Sequence, residues 1–401
     1  MRQYKVTLAS AVAALAVTAA PQALAEDVKL GVLLAYTGPL EAMAPPIGDA
    51  AQLVGEHVNA QGGIQGGSLE FVVGDGTCAD ATAGSNAADR LVNTDGITAM
   101  VGAMCSGVTI AVANTVAVPA GVVMISPSGT SPAITTLEDN DLVYRTTPSD
   151  AYQGEVMARL LVGKGIEDIA ITYVNNDYGK GFADSLAAAF ADQGGNVTAN
   201  VAHEEGKSDY RAELGTLAAS GSSTLVILAY NSGSGQTVLR QAIESGDFET
   251  YVGGDGMIGD ELFTGIDTSA VEGMIGTKPG TPDIPGAAIF EELASAAGID
   301  PSAIFAPQGY DAAFILALAI EKNGNSRDGL AAAVRDVSSA PGEVVLPGEW
   351  EKAKALIAAG TDINYEGASG SHEFDENGDV PGVILEMTVS NGSFNEVGIA
   401  M

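Results

Sequence analysis

Two short phrases, Met104-Cys105-Ser106-Gly107 and Ser126-Pro127-Ser128-Gly129-Thr130, each follow an apolar, strand-like run and lead toward a helix-like one. Main-chain N–H groups at a helix start, joined by Ser and Thr hydroxyls, hold a carboxylate without a metal or an arginine. Two such turns at the carboxyl ends of neighbouring strands make an anion cradle. The plainer reading is that Ser106 and Ser131 are ordinary N-caps that satisfy the first helical amides.

Other patterns carry less. Gly254-x-Gly256-x-x-Gly259 fits the dinucleotide fingerprint and follows a short strand, but no convincing helix and strand come after it. Asp375-Glu376-Asn377-Gly378-Asp379 with Glu386 has calcium-loop spacing, yet Val380 stands where the loop needs glycine, so a turn into a strand is expected. His57, His203 and His372 are scattered and share no metal-ligand spacing, so no metal or cofactor is expected. Without a Gly-x-Ser-x-Gly elbow as well, an enzyme has no catalytic set to stand on.

The two phrases need rigid elements beneath them, and the chain supplies an alternation of apolar strands and helices that marks parallel α/β construction. Strands are expected over Val28 to Leu34, Leu69 to Val73, Ala99 to Val101 and Val122 to Ile125, with helices over Gly48 to Asn59, Ala79 to Val92 and Thr109 to Val118. A second series begins near residue 150 with helix Ala151 to Val162, strand Ile169 to Val174, helix Gly179 to Gln193 and strand Val197 to Ala202. It continues with helix Tyr210 to Ala219, strand Leu225 to Leu228 and helix Gln236 to Glu244. The fold class is therefore α/β, with two open parallel sheets covered by helices on both faces. Pro279 to Pro285 looks like a hinge or crossing segment, and further helices follow at Ala287 to Ala297, Tyr310 to Lys322 and Gly329 to Val337. Gly370 to Pro381 is rich in turns, and Val383 to Val389 alternates in part like an antiparallel strand.

Residues 1–25 stand apart: Arg2 and Lys5 precede the apolar run Val6 to Ala20, and Ala23-Leu24-Ala25 closes it. This reads as a secretory signal with an Ala-x-Ala cleavage site, and the run is shorter than the ~20 apolar residues a spanning helix needs. Export to the periplasm is expected. The remaining chain is long enough for about two domains. With 51 acidic residues against 17 Lys and Arg, and a net charge of −34, the surface opposes nucleic acid and anionic membrane as partners. Only Cys78 and Cys105 are present. In an exported chain they are expected to pair, pinning the loop after the second strand to the turn that carries Ser106; the other reading is two buried free thiols.

The phrases Ala60-Gln61-Gly62-Gly63-Ile64, Met124-Ile125-Ser126-Pro127, Tyr144-Arg145-Thr146-Thr147, Asp177-Tyr178-Gly179, Leu239-Arg240-Gln241-Ala242 and Thr277-Lys278-Pro279, with the cysteine pair, span nearly the whole chain. In that order they resemble the leucine/isoleucine/valine-binding family of periplasmic ABC-transporter substrate-binding proteins. The resemblance implies two α/β lobes joined by three crossings, near Arg145 to Pro148, Thr277 to Pro279 and Gly370 to Asp379. Lobe 1 would be 26–145 plus 279–369, and lobe 2 would be 146–278 plus 370–401. It further implies a monomer that hands an amino acid, branched-chain foremost, to an inner-membrane ABC permease.

Carried over residue by residue, Ser106 and Thr130 would hold the ligand's α-carboxylate through hydroxyl and backbone N–H, Thr130 would also reach the amine, and Gly129 stands between Thr130 and Ser128, whose carbonyl would meet the ammonium. Asp255 stands where the family usually has glutamate as the ammonium's counter-ion, and Tyr178 and Tyr230 would close over the ligand from lobe 2. The physics agrees, because a zwitterion taken out of water needs donors at one end and a carboxylate at the other. Between glycines, Asp255 also suits a plain turn. Met43 lies where the family often places an aromatic ring; a thioether wall is adaptable, though simple core packing suits it equally. An amide, urea-like or aromatic acid ligand is the alternative.

Overall fold

The computed structural model describes Met1 and residues 26–400, so the expected signal sequence falls, Met1 aside, outside the described residues. A first sheet contains β1 (Val28–Leu34), β2 (Leu69–Asp75), β3 (Ala99–Gly102), β4 (Met124–Ser126) and β5 (Val143–Arg145). Its order is β2-β1-β3-β4-β5 and every pairing is parallel. The second sheet takes β6 (Asp168–Val174), β7 (Asn196–His203), β8 (Thr224–Leu228), β9 (Thr250–Gly253) and β10 (Ile275–Gly280). Next in the chain, β11 (Glu343–Val345) and β12 (Ile363–Tyr365) form a small parallel pair of their own. Finally β13 (Val383–Ser390) and β14 (Ser393–Ile399) extend the second sheet antiparallel, giving β14-β13-β10-β9-β8-β6-β7. The α/β class with two parallel-rich sheets is as expected.

The central strands are continuous apolar runs because helices cover both faces: β8, Thr-Leu-Val-Ile-Leu, is buried at every position. Helix Ala44–Ala60 starts four residues before the expected Gly48, since Pro45 and Pro46 fall in its first turn, where a missing N–H costs nothing. Helix Ala306–Asn323 is buried from Ala306 to Ile320 and packs on Ala44–Ala60; alanine and glycine let the backbones approach closely. The expected helix over Thr109 to Val118 is instead composite, Ser106–Val112 followed by a wider turn at Ala113–Ala117 and a last turn at Val118–Ala120, where Pro119 cannot donate to a regular ladder. Part of the expected Pro279 to Pro285 crossing is ordered: Pro279 and Gly280 end β10 and pair in register with Ile384 and Val383.

The two sheets present their carboxyl ends to each other. In the first, strand order reverses between β1 and β3, and in the second between β6 and β8, so each offers a crevice at its switch point. One buried side chain ties the join. The Arg145 guanidinium donates to both Asp379 oxygens at 2.7 Å and to the carbonyls of Gly129, Thr130 and Ser131 at 3.0–3.3 Å. It thereby links the end of β5, the returning segment before β13 and the turn after β4. Gln153 Nε2 donates to the Thr277 carbonyl and hydroxyl, each at 3.1 Å, fixing helix Asp150–Gly163 against β10.

Candidate functional site

The two hydroxyl-bearing turns lie at neighbouring strand ends and are stitched together by their own side chains. Ser126 Oγ donates to the Ala103 carbonyl at 2.5 Å and accepts the Gly129 N–H at 2.8 Å; Ser128 Oγ donates to the Met104 carbonyl at 2.9 Å. Ser106 is not the cap of its helix, because Cys105 holds that position, and Ser106 Oγ accepts the Ser131 N–H at 3.1 Å instead. Ser131 does cap, accepting the Ala133 N–H at 3.3 Å, so the plainer reading holds for one serine of the two. A side chain at Gly129 would come within 2.7 Å of Ser126 Oγ, which is why the tight turn needs glycine. Cys78 and Cys105 are disulfide-bonded, anchoring the residue just before Ser106.

The opposite wall comes from the second sheet. Tyr178 opens helix Asp177–Asp192, capped by Asn176, whose Oδ1 accepts the Gly179 N–H at 3.0 Å. The Tyr178 hydroxyl donates to Asp255 Oδ1 and accepts the Gly256 N–H, both at 3.1 Å. Its ring stacks on Tyr230, with centroids 5.6 Å apart and planes 15° apart, and Asn176 Nδ2 donates to the Tyr230 hydroxyl at 2.9 Å. A Cβ on Gly256 would sit 2.9 Å from the Tyr178 hydroxyl, so that bond requires glycine there.

Met43, Ser106, Ser128, Tyr178, Tyr230 and Asp255 line one small cavity between the walls. Gly129 and Thr130 do not line it; they form the turn behind Ser128, and Thr130 is only 1% exposed. Sequence reasoning missed Leu40, Met104 and Phe305, which make the rest of its apolar surface. Asp150, fully buried, does not line it. The walls already touch, for Ser131 Oγ donates to the Asp177 carbonyl at 2.9 Å.

The electrostatics are unusual for so acidic a chain. Asp255 is 4% exposed, and burial pushes its carboxyl up to about 6, against the opposing Tyr178 hydrogen bond. Asp150 is raised well above the carboxylate range, first by burial and then by repulsion from Asp255. Burial also raises both tyrosine hydroxyls, so they stay neutral donors. The site thus sets a neutral hydroxyl cradle opposite the buried Asp255 carboxyl, an arrangement able to hold the two ends of a zwitterion.

The remaining motifs find structural roles. Around Gly254-x-Gly256-x-x-Gly259 the chain forms short 3₁₀ turns, Asp255–Met257 and Asp260–Phe263, with no helix to receive a pyrophosphate. Asp375 Oδ1 accepts the Asn377 and Asp379 N–H groups at 2.8 and 3.0 Å, while Glu386 on β13 pairs with Lys164 at 2.7 Å. His57 meets the Tyr310 hydroxyl at 3.0 Å, His203 lies between Thr172 and Ser234, and His372 lies beside Asp311. Among the described residues no group of three or more His, Cys, Asp or Glu is placed to hold a metal ion, and no helix is long and apolar enough to cross a membrane.

The architecture and this inter-sheet cavity define a two-lobed solute-binding protein of type I. The chain belongs to the periplasmic binding protein family, whose model matches residues 27–378. It is 29% identical over 359 residues to a leucine-, isoleucine-, valine-, threonine- and alanine-binding protein of Pseudomonas aeruginosa, covering 89% of this chain and 88% of that one. A leucine binding protein from Thermotoga maritima superposes with a TM-score of 0.78 at 26% identity, covering 93% and 98% of the two chains. The same fold, at 18% identity and a TM-score of 0.73, occurs in an ABC-transporter solute-binding protein from R. palustris in complex with benzoate; 94% of this chain and 96% of that one are covered.

Proposed function

We propose that this protein captures an L-amino acid, branched-chain (leucine, isoleucine or valine) foremost, between its two lobes in the periplasm and delivers it to an inner-membrane ABC permease. Binding and release without turnover is the whole of its chemistry. The lobes are 26–145 plus 279–369 and 146–278 plus 370–401, and the Arg145–Asp379 join lies at their hinge.

The observation that carries the reading is Asp255, buried beside Tyr178 on one wall and facing the hydroxyl cradle across the cavity. Ser106 receives the α-carboxylate at the cavity wall, backed by the Gly129–Thr130 turn behind Ser128; Asp255 and the Ser128 carbonyl receive the ammonium. Met43, Leu40, Met104 and Phe305 then surround an aliphatic side chain, with two methionines adapting to its branching. Ligand contacts to both walls favour the closed form, and closure is the signal the permease reads. The names of the P. aeruginosa and T. maritima relatives support the ligand class. An amine-free acid such as benzoate would leave Asp255 buried with the Tyr178 hydroxyl but no counter-charge, which disfavours that ligand class.

Thermal-shift titration against the twenty amino acids, urea, short amides and aromatic acids tests the proposal. Upward shifts for leucine, isoleucine and valine are expected. A shift with an amide or aromatic acid and none with any amino acid would refute it.

A further inference from the structure

Three glycines sit where the two walls of the cleft meet, each close to a residue of the opposite wall. A Cβ on Gly107 would lie 3.0 Å from the Asp177 carboxyl, on Gly181 2.9 Å from both Pro132 Cδ and Ser131 Oγ, and on Gly233 2.7 Å from Pro39 Cβ. Gly107 and Pro39 adjoin the cavity residues Ser106 and Leu40, so these contacts rim the ligand cavity. The hydrogen bond from Ser131 Oγ to the Asp177 carbonyl, at 2.9 Å, belongs to the same seam.

Gly181 has no reason to be glycine within its own wall. It is the fifth residue of helix Asp177–Asp192, an interior position where glycine is the poorest choice after proline. Its backbone is not left-handed, so its conformation does not call for glycine. The three atoms nearest to a Cβ there all belong to Pro132 and Ser131, across the cleft. Gly179 in the same helix is the contrast, since a Cβ there would meet the Val174 carbonyl of its own sheet at 2.2 Å. The Pro132 ring is fastened to the main chain and cannot swing aside, and Ser131 Oγ is held by Asp177. Ordinary contact begins at 3.4 Å, so a methyl at 181 keeps the walls from meeting as they do here.

We propose that Gly181 is a positioning residue for closure: by leaving its helix bare where Pro132 and Ser131 land, it sets how completely the lobes shut on a ligand that it does not touch. The assignment rests on capture between two lobes and deepens that reading by naming the contact that limits closure. A protein that closes fully only part of the time loses apparent affinity by that fraction.

Titration calorimetry of the full chain with leucine, isoleucine and valine tests this, using wild type, Gly181→Ala, Gly181→Ala with Pro132→Ala, and Gly215→Ala, with ligand-free melting alongside. Gly215 is the matched comparison, the fifth residue of helix Arg211–Ala218 with no atom within 4 Å of a Cβ. Gly181→Ala should weaken all three ligands by a common factor of roughly 5- to 150-fold, the range of an over-packed contact. Its ligand-free melting temperature should hold or rise, as for Gly215→Ala, which should bind as wild type does. Removing the Pro132 ring in the double variant should recover most of the loss. Small-angle scattering of leucine-saturated Gly181→Ala should give a larger radius of gyration than leucine-saturated wild type. Unchanged leucine affinity, a loss confined to one ligand, a loss that Pro132→Ala does not relieve, or a loss accompanied by lower ligand-free melting would overturn the assignment alone. Wild type that binds no amino acid would instead overturn the amino-acid reading.

Discussion

Replacing Asp255 should move affinity and stability in opposite directions. Its carboxyl is 4% exposed and burial lifts it from 3.8 to about 6. At about 1.36 kcal/mol per pKa unit, ionising it in the ligand-free protein costs on the order of 3 kcal/mol. Because the folded-state value is raised, the folded chain holds this proton longer than the unfolded chain. Its contribution to stability is full below about 3.8 and is lost as pH rises through about 6. A ligand ammonium pairs with the ionised form and recovers that cost, so leucine should stabilise the wild type more at pH 8 than at pH 5. Asp255→Asn removes the charge at every pH. The ligand-free variant should therefore melt a few degrees higher than wild type at pH 8, scaled from the entropy of unfolding of a chain this size. Leucine binding should weaken by roughly 10²- to 10³-fold, since one partner of a buried ion pair is worth about 3–5 kcal/mol. Differential scanning calorimetry with and without leucine, and titration calorimetry at both pH values, read out the two effects. A variant that melts lower and binds leucine normally, or a wild type whose affinity is the same at pH 5 and pH 8, would refute the reasoning.

Three further outcomes follow from other parts of the molecule. Cys78 and Cys105 are 27 apart in sequence, so replacing both by serine should cost about 3–4 kcal/mol by loop entropy and weaken leucine binding as Cys105, the residue before Ser106, loses its anchor; chemical denaturation and calorimetry measure the two. Arg145→Ala should destabilise by about 3–5 kcal/mol, because Asp379 is left without its 2.7 Å partner and the carbonyls of residues 129–131 lose their donor; a urea titration with loss below about 1 kcal/mol would contradict this. His203, 2% exposed, is lowered by burial from 6.5 to about 4. A depressed histidine stabilises above 6.5, and that contribution is lost as pH falls toward about 4, on the order of 3 kcal/mol; His203→Gln should flatten the acid limb of the stability profile.

The regular part of the fold was legible because buried parallel strands and amphipathic helices leave their period in the chain. Val28–Leu34 is apolar but for Lys29 and Gly31, and the structure places β1 on those residues. Strands β5, β10, β11, β12 and β14 were not anticipated. β14, Ser-Phe-Asn-Glu-Val-Gly-Ile, has too few apolar positions to read as a strand by itself, and it forms because β13 offers a free edge. Ser106, Ser128, Tyr178, Tyr230 and Asp255 were found because each follows a strand end, where open α/β sheets bind ligands, and the family resemblance named them. Phe305 escaped because it reaches the cavity from a left-handed backbone turn with φ of 64° before helix Ala306–Asn323, a conformation no periodicity reports.

The most direct test of the zwitterion clamp compares leucine with its amine-free counterpart, 4-methylpentanoate, by titration calorimetry at pH 8. The two share a carboxylate and an isobutyl-bearing chain and differ at the group Asp255 is assigned to hold. Micromolar or tighter binding of leucine, with 4-methylpentanoate weaker by at least ~100-fold, is the predicted result. Equal affinity for the two, or tighter binding of the acid, would contradict it.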